Sequence, residues 1–455
     1  MANTLVWNYS ERLFKRSQIS EEQADSNGLW IMKLHVSQDR GTLQATLAVC
    51  LGILLSGMAL AYWATPYLYI AGIVGTVAIV AALLAVQPYV KAVFVNAAVV
   101  ALALGGAELY FYEVHFAEEP PRELIYRMTS DSVERGAIID QFTYHEILGY
   151  APIKKQRFTE ATHFKGSLLY DIAYTIDEHG LRISSPAGSQ SNLQTPCILF
   201  FGDSFTFGEG VRDEDTLPYR VSIKSDQEYR AYNFGFLGYG PHQMLAQLQH
   251  NLVRDAIDCK PRYAIYQALP SHVSRAAGLE AWDQAGPKYV LAEDRTIISK
   301  GHFNDEVQPG VLAALRRWHP RLPYPLRHGL EKSALYRALL YMRRDTTDAD
   351  VDLFRGIVEL SRQRLEATYP GIEFHVLLWD FSHQTDPMEI KIIEALKAAG
   401  IPLHLVSTII PDYSHHRERY ILHPADGHPN QLTHDLLAEY ILTTIAGFDG
   451  SNPPR

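Results

Sequence analysis

A serine at the end of an apolar run is the residue of this chain best suited to covalent chemistry. The segment Cys197-Ile-Leu-Phe-Phe-Gly-Asp-Ser204 leads from apolar residues directly into a Gly-Asp-Ser turn. Such a run is typical of a central parallel strand that is covered on both faces, and open parallel sheets bind ligands beyond the carboxyl ends of their strands. We therefore interpret Ser204 as a nucleophile, although Gly-Asp-Ser also forms ordinary turns after strands.

Two further segments follow in the chain and complete a pattern. Tyr232-Asn-Phe-Gly-Phe-Leu-Gly-Tyr-Gly240 contains three closely spaced glycines, which allow backbone N–H groups to approach a ligand. Asp426-Gly-His-Pro-Asn430 precedes an amphipathic helical pattern near the C-terminus. These three blocks, in this order, resemble the SGNH hydrolases, also called GDSL esterases, of the membrane-anchored bacterial type. The resemblance covers about residues 196–447 and implies a three-layer, flavodoxin-like α/β domain with a parallel sheet.

The resemblance also implies a catalytic triad. A serine hydroxyl needs a base to remove its proton, and the base needs a third group to fix its tautomer. Ser204 would be the nucleophile, His428 the base and Asp426 the orienting carboxylate. Many family members place this aspartate three residues before the histidine, whereas here the separation is two. Asp412, earlier in the same region, therefore stays open as an alternative acid.

The predicted set of hydrogen-bond donors for a tetrahedral oxyanion is less complete than the triad. By resemblance they are the backbone N–H groups of Ser204 and Gly238, which would be aimed at the developing charge. A third donor in the family is usually an asparagine side chain after the third strand, but this chain has Leu269-Pro-Ser-His-Val there. Ser271 and His272 are the candidate replacements, and the alternative is that two backbone donors suffice. Asp203 is interpreted as a brace of the loop.

The elements that must position these residues can be predicted from alternating patterns. Beyond residue 196, strand-like and helix-like segments alternate, which favours a parallel α/β sheet. The predicted strands are 198–201, 229–233, 263–269, 373–379 and 402–406, and the predicted helices are 243–256, 350–368, 386–399 and 431–445. Residues 278–348 interrupt the pattern as an insertion.

Three apolar runs precede the outer part of the chain. Residues 41–64, 67–87 and 89–112 form runs of 21 to 24 residues, and each is long enough to cross a bilayer as a helix. The predicted organisation is thus a cytoplasmic segment (1–40), three transmembrane helices (41–113), a linker with a small β-rich extension (114–195), the hydrolase domain (196–447) and a tail (448–455).

The positive charges around these runs predict the orientation. Five Lys and Arg residues precede the first run, Lys91 lies at the start of the third run next to the turn after the second, and none lies between the first and second. The positive-inside rule then places the N-terminus in the cytoplasm and residues after about 113 on the other side. We expect a multi-pass inner-membrane protein with a periplasmic or extracellular catalytic domain. Cys197 and Cys259 of that domain are either a disulfide pair or buried free thiols.

Three functions are compatible with these observations. The first is a membrane-anchored serine esterase that acts on an acylated small molecule, lipid or glycan. The second is an O-acyltransferase that passes the acyl group to an envelope glycan, a function for which we expect a partner protein. The third is a non-catalytic envelope scaffold or glycan-binding protein. No Cys or Cys/His spacing predicts a metal site, no cofactor is expected, and a net charge of −10 without a basic stripe argues against a nucleic-acid partner.

Overall fold

A computed structural model describes most of the chain in two compact units. The described residues are 66–85, 87–113, 124–130, 142–164, 167–186, 194–306, 326, 330, 332–341, 344–381 and 385–448. Residues 69–103 belong to the first unit, and residues 64–68 together with 104–455 belong to the second.

Two apolar helices begin the described chain, α1 (Pro66–Leu84) and α2 (Pro88–Phe111). Within the first unit their buried side chains are small, among them Ala78, Ala82 and Ala98, whereas Val77 and Val93 are more than 60% exposed. Among the described residues, α2 is the one helix long and apolar enough to cross a membrane, and a shorter apolar helix covers Ile70–Leu84. The predicted run 41–64 lies outside the described residues. They therefore support one candidate span and not the predicted three, and the multi-pass prediction is not supported.

The described part of the extension before the α/β domain consists mainly of strands. Its strands are β1 (Leu124–Ser130), β2 (Phe142–His145), β3 (Gly149–Pro152), β4 (Gln156–Phe164) and β5 (Ser167–Ile176). Strands β1, β4 and β5 form an antiparallel sheet in that order, and β2 pairs with β3 as a hairpin. Phe158, Tyr174 and Ile176 of this extension pack against Phe207 and Phe236 of the α/β domain.

A five-stranded parallel sheet forms the centre of the α/β domain. The remaining strands of the chain are β6 (Pro196–Phe201), β7 (Arg230–Asn233), β8 (Lys260–Ala268), β9 (Pro287–Leu291), β10 (Ile297–His302), β11 (Glu373–Leu378), β12 (Leu403–Leu405), β13 (Ile421–His423) and β14 (Asp426–Pro429). The central sheet has the order β12-β11-β8-β6-β7, while β9 pairs with β10 and β13 with β14. All five predicted strands are present in this sheet, and the three central ones, β6, β8 and β11, are largely buried.

Helices cover both faces of this sheet. They are α3 (Ser204–Phe207), α4 (Leu217–Lys224), α5 (Pro241–Gln249), α6 (Leu252–Ala256), α7 (His272–Ala276), α8 (Ala334–Tyr341), α9 (Asp348–Thr368), α10 (Pro387–Ala398), α11 (Val406–Ile409) and α12 (Gln431–Tyr440). Leu199 and Phe201 of β6 pack with α5, α9 and α10, whereas Ile198 and Phe200 pack with α4 and α12. Alternate residues of one strand thus enter two cores, which gives three layers.

Two helices differ from their predictions. The predicted helix 243–256 is divided into α5 and α6 at Asn251, which takes a left-handed conformation with φ of 59°. The predicted helix 431–445 ends at Tyr440 and continues as a π-helical turn, Ile441–Ile445.

Within the insertion, α8 begins beside Glu108, whose carboxylate accepts hydrogen bonds from the Ser333 hydroxyl and the Ala334 N–H, both at 2.7 Å.

Candidate active site

A sharp turn at the carboxyl end of β6 presents Ser204. Gly202 has φ of +149°, and a Cβ there would lie 2.2 Å from Oγ1 of Thr206, so the turn requires glycine. Asp203 then caps α3, since its Oδ1 accepts a 3.0 Å hydrogen bond from the N–H of Phe205. Ser204 is the first residue of α3 and is 8% exposed. Its hydroxyl therefore lies at the carboxyl edge of the sheet, the place predicted from the sequence.

A hairpin near the C-terminus carries His428 and Asp426 on β14. The hairpin pairs Ile421 with Pro429, and the next residue, Asn430, caps α12 through a 3.2 Å hydrogen bond from the N–H of Thr433 to its Oδ1. The Asn430 amide also donates to the carbonyl of Arg419 at 2.8 Å. These bonds fix the path of the chain on both sides of His428.

The structure brings the three predicted triad residues together. Nε2 of His428 lies 2.9 Å from Oγ of Ser204, and Nδ1 of His428 lies 2.5 Å from Oδ1 of Asp426. Asp426 also accepts the backbone N–H of His428 at 3.2 Å. A separation of two residues is thus sufficient for the carboxylate to reach the imidazole. Asp412, the alternative acid, instead accepts a 2.7 Å hydrogen bond from the hydroxyl of Tyr420.

The surroundings favour the charged forms of the pair. Burial alone would raise the pKa of Asp426, but the hydrogen bond and positive charge of His428 lower it below its usual value. Burial opposes protonation of His428, yet the negative charges of Glu209 and Asp426 raise its pKa well above that of an ordinary histidine. An imidazolium that forms during proton transfer would accordingly be stabilised here.

Of the two backbone donors predicted for the oxyanion, Ser204 is at the start of α3 and Gly238 lies in the loop between β7 and α5. Gly238 has φ of +74°, and a Cβ there would approach Nε1 of Trp282 to 2.7 Å, so this position too requires glycine. The loop that contains Gly238 is joined to the turn that carries Ser204 by a 3.3 Å hydrogen bond from the N–H of Phe236 to the carbonyl of Gly202. Within the part of the chain that the structure describes, the N–H groups of Ser204 and Gly238 donate no hydrogen bond.

Ser271 and His272, the candidate side-chain donors, have surroundings that differ from each other. His272 is fully buried, with Nδ1 at 2.6 Å from the hydroxyl of Tyr266 and Nε2 at 3.2 Å from Oδ2 of Asp203. Burial lowers the pKa of His272 to about 4, so it is neutral at pH 7. Ser271 is exposed at the start of α7. Asp203 also accepts a 2.7 Å hydrogen bond from Arg275, which agrees with its interpretation as a brace.

Four residues near the predicted triad were missed by sequence reasoning. The hydroxyl of Tyr170 donates to Oδ2 of Asp426 at 2.9 Å, and the hydroxyl of Tyr174 donates to Oε2 of the fully buried Glu160 at 2.5 Å. Oε2 of Glu209 lies 3.2 Å from Nε2 of His428. Of these residues, only Glu209 could have been noticed in the sequence, because it lies between two glycines five residues after Ser204.

Comparisons with known proteins place this arrangement in a structural context. No protein-family model matches the chain, and no curated protein matches it. Solved structures that resemble it include a lipolytic protein of the G-D-S-L family from Desulfitobacterium hafniense DCB-2, with 12% identity, TM-score 0.30 and coverage of 54% of this chain and 96% of the other. A two-domain esterase active on acetylated mannans has 15% identity, TM-score 0.31 and coverage of 56% and 50%.

An acetyl xylan esterase from Geobacillus stearothermophilus is a third similar structure, with 14% identity, TM-score 0.27 and coverage of 57% of this chain and 98% of the other. Identities this low concern the fold alone. The resemblance to the GDSL/SGNH hydrolases that the three sequence blocks suggested therefore stays a prediction.

Proposed function

We propose that this protein is a serine esterase in which Ser204, His428 and Asp426 form the catalytic triad. The observation that carries the proposal is the continuous chain of contacts from Oγ of Ser204 to Nε2 of His428 at 2.9 Å and from Nδ1 to Oδ1 of Asp426 at 2.5 Å. These distances are those required for a base to take the serine proton while a carboxylate orients it.

The reaction follows from these contacts. His428 accepts the proton of Ser204 at Nε2 as Oγ attacks the ester carbonyl, and Asp426 stabilises the imidazolium. The oxyanion accepts hydrogen bonds from the N–H groups of Ser204 and Gly238. When the intermediate collapses, His428 returns the proton to the leaving alcohol and the acyl group stays on Ser204. A water molecule, activated by the same Nε2, then releases the acid.

We further propose that the catalytic domain is held at a membrane and acts outside the cytoplasm. Helices α1 and α2 support the membrane part, because they pack through alanines and expose valines and leucines, the reverse of a soluble helix pair. The disulfide between Cys197 and Cys259, with a Cα–Cα distance of 6.0 Å, supports an oxidising compartment.

Labelling with a fluorophosphonate tests the catalytic proposal. The detergent-solubilised full-length protein should be labelled and should hydrolyse a short-chain nitrophenyl ester. Ser204→Ala should abolish labelling and lower turnover by about 10⁴ to 10⁶, whereas Ser299→Ala, at an exposed position on β10, should change neither. If Ser204→Ala is labelled as well as the wild type, another residue is the nucleophile. If the wild type is not labelled, the non-catalytic scaffold is favoured. Product analysis with a glycan hydroxyl present would detect acyl transfer.

Two measurements test the location. A reporter that is active only outside the cytoplasm should function when fused after Arg455, while a cytoplasmic reporter there should be silent. Alkylation of the denatured protein should modify Cys197 and Cys259 only after reduction. The opposite reporter pattern together with free thiols would contradict the proposed location.

A further inference from the structure

Nε2 of His428 has two neighbours. Besides Oγ of Ser204 at 2.9 Å, Oε2 of Glu209 lies 3.2 Å away. The side chain of Glu209 is 12% exposed and that of His428 is 17% exposed, so the contact is largely shielded from water. The proposed base thus has one carboxylate at each ring nitrogen, Asp426 at Nδ1 and Glu209 at Nε2.

The loop that carries Glu209 is braced on both sides. The N–H of Glu209 donates to the carbonyl of Ser204 at 3.0 Å. Arg182, which is almost fully buried, donates to the carbonyls of Phe207 at 2.9 Å and Val211 at 2.7 Å. The N–H of Gly210 donates to the hydroxyl of Tyr174 at 2.9 Å. The backbone that carries the Glu209 side chain is therefore held in place by the fold.

The contact has a chemical consequence for the base. An ionised carboxylate only accepts hydrogen bonds, so Oε2 of Glu209 favours a protonated Nε2. Ser204 requires the opposite state, because Nε2 can receive the serine proton only when its lone pair is free. Glu209 and Ser204 therefore favour different protonation states of the same nitrogen.

We propose that Glu209 is a positioning residue that holds His428 as an imidazolium between two carboxylates in the resting enzyme and stabilises the imidazolium again when Ser204 attacks. This inference rests on the proposed function. In the resting state Nδ1–H points to Asp426 and Nε2–H to Glu209. Loss of the Nε2 proton to solvent frees the lone pair for Ser204. The serine proton then restores the imidazolium, which passes that proton to the leaving alcohol.

Other charged and titratable groups near His428 come from several elements. They are Asp426 on β14, Glu160 on β4, Tyr170 and Tyr174 on β5, Arg182 after β5, Arg417 beside Gly427, and His434 on α12. The side chain of Arg182 is paired with Asp213 at 2.8 Å and with backbone carbonyls. Burial lowers the pKa of His434 to about 3, so it is neutral. Glu209 and Asp426 are therefore the charged groups in direct contact with the ring.

The pH dependence of fluorophosphonate labelling tests the inference without knowledge of the substrate. In the full-length wild type, the labelling rate should rise with a midpoint above the ordinary histidine value of about 6.5. Glu209→Gln should move that midpoint to lower pH by about one unit or more, as expected when a charge at this distance is removed. Glu209→Asp, which keeps the charge, should lie closer to the wild type. Glu214→Gln, exposed in the following turn, is the matched control and should not move the midpoint.

The outcomes separate this inference from the proposed function. Equal midpoints for the wild type and Glu209→Gln would overturn the inference while leaving the serine esterase proposal intact. No labelling of the wild type at any pH would contradict the esterase proposal itself. If Glu209→Gln fails to fold, the wild type still decides, since a midpoint at or below that of an ordinary histidine overturns the inference.

Discussion

The hydroxyl of Tyr170 donates a 2.9 Å hydrogen bond to Oδ2 of Asp426, across 256 residues of the chain. Tyr170 belongs to β5 of the extension and Asp426 to the hairpin that carries His428. The other oxygen of Asp426 is occupied by Nδ1 of His428. The extension therefore takes part in orienting the proposed acid of the triad, in addition to packing against the α/β domain.

Removal of this hydroxyl should lower catalysis more than stability. We expect Tyr170→Phe to lower kcat/KM about tenfold, because Asp426 loses one of the hydrogen bonds that fix its orientation. Tyr144→Phe, on a side chain that is 72% exposed, is the control. Turnover of a nitrophenyl ester and thermal unfolding of both variants provide the measurement. Unchanged turnover in Tyr170→Phe would show that Asp426 is held without the extension.

The identity of the acid can be decided by two matched substitutions. Asp426→Asn should lower turnover strongly, since it disturbs the tautomer and orientation of His428, but less than Ser204→Ala or His428→Ala. Asp412→Asn should retain nearly full turnover, because Asp412 pairs with Tyr420. The double variant of Ser204 and His428 should be scarcely worse than either single variant. The assignment fails if Asp412→Asn is the more damaging of the two aspartate substitutions.

The strands and the Gly-Asp-Ser turn were predictable because each depends on a sequence pattern within one short segment. A buried parallel strand is an apolar run, and β6 shows this in Pro196–Phe201. Asn430, which caps α12, likewise belongs to the residue types that favour an N-cap. By contrast, the break at Asn251 depends on one residue that adopts a positive φ of 59°, a conformation that the helical pattern around it does not indicate.

The groups around the triad were not predictable, because they depend on packing between distant segments. Tyr170 and Glu160 lie in strands whose sequences indicate only alternation, and nothing in that alternation specifies that they face Asp426 and Glu209. For His272, the position in the sequence and the surroundings in the fold indicate different roles. Its place after the third strand suggested a donor, whereas its contacts with Tyr266 and Asp203 arise from the folded domain.

The segment Leu269-Pro-Ser-His-Val after β8 offers a test of whether a side chain there assists the oxyanion. Loss of an oxyanion donor lowers turnover by about 10² to 10³ with folding intact. Ser271→Ala should retain full turnover, and His272→Ala should lose turnover in proportion to lowered thermal stability, since it removes the buried imidazole that contacts the Tyr266 hydroxyl and Asp203. Turnover and unfolding of both variants are measured together. A loss of 10² or more in either variant at unchanged stability would identify a side-chain donor.

The buried carboxyl of Glu160 predicts a stability that decreases as the pH rises. Burial and the charge of Glu209 raise the pKa of Glu160 from 4.5 to about 7, against hydrogen bonds from Tyr174 and Thr162. The folded state therefore binds this proton more tightly than the unfolded state, so this contribution to stability is complete below pH 4.5 and is lost towards pH 7. The loss should be about 1 to 3 kcal/mol. Glu160→Gln cannot ionise and should remove this part of the pH dependence, while Glu178→Gln, exposed in the turn after β5, should keep it. Thermal unfolding of the three proteins from pH 4.5 to pH 8 provides the measurement. Parallel curves for the wild type and Glu160→Gln would mean that folding does not raise the pKa of Glu160.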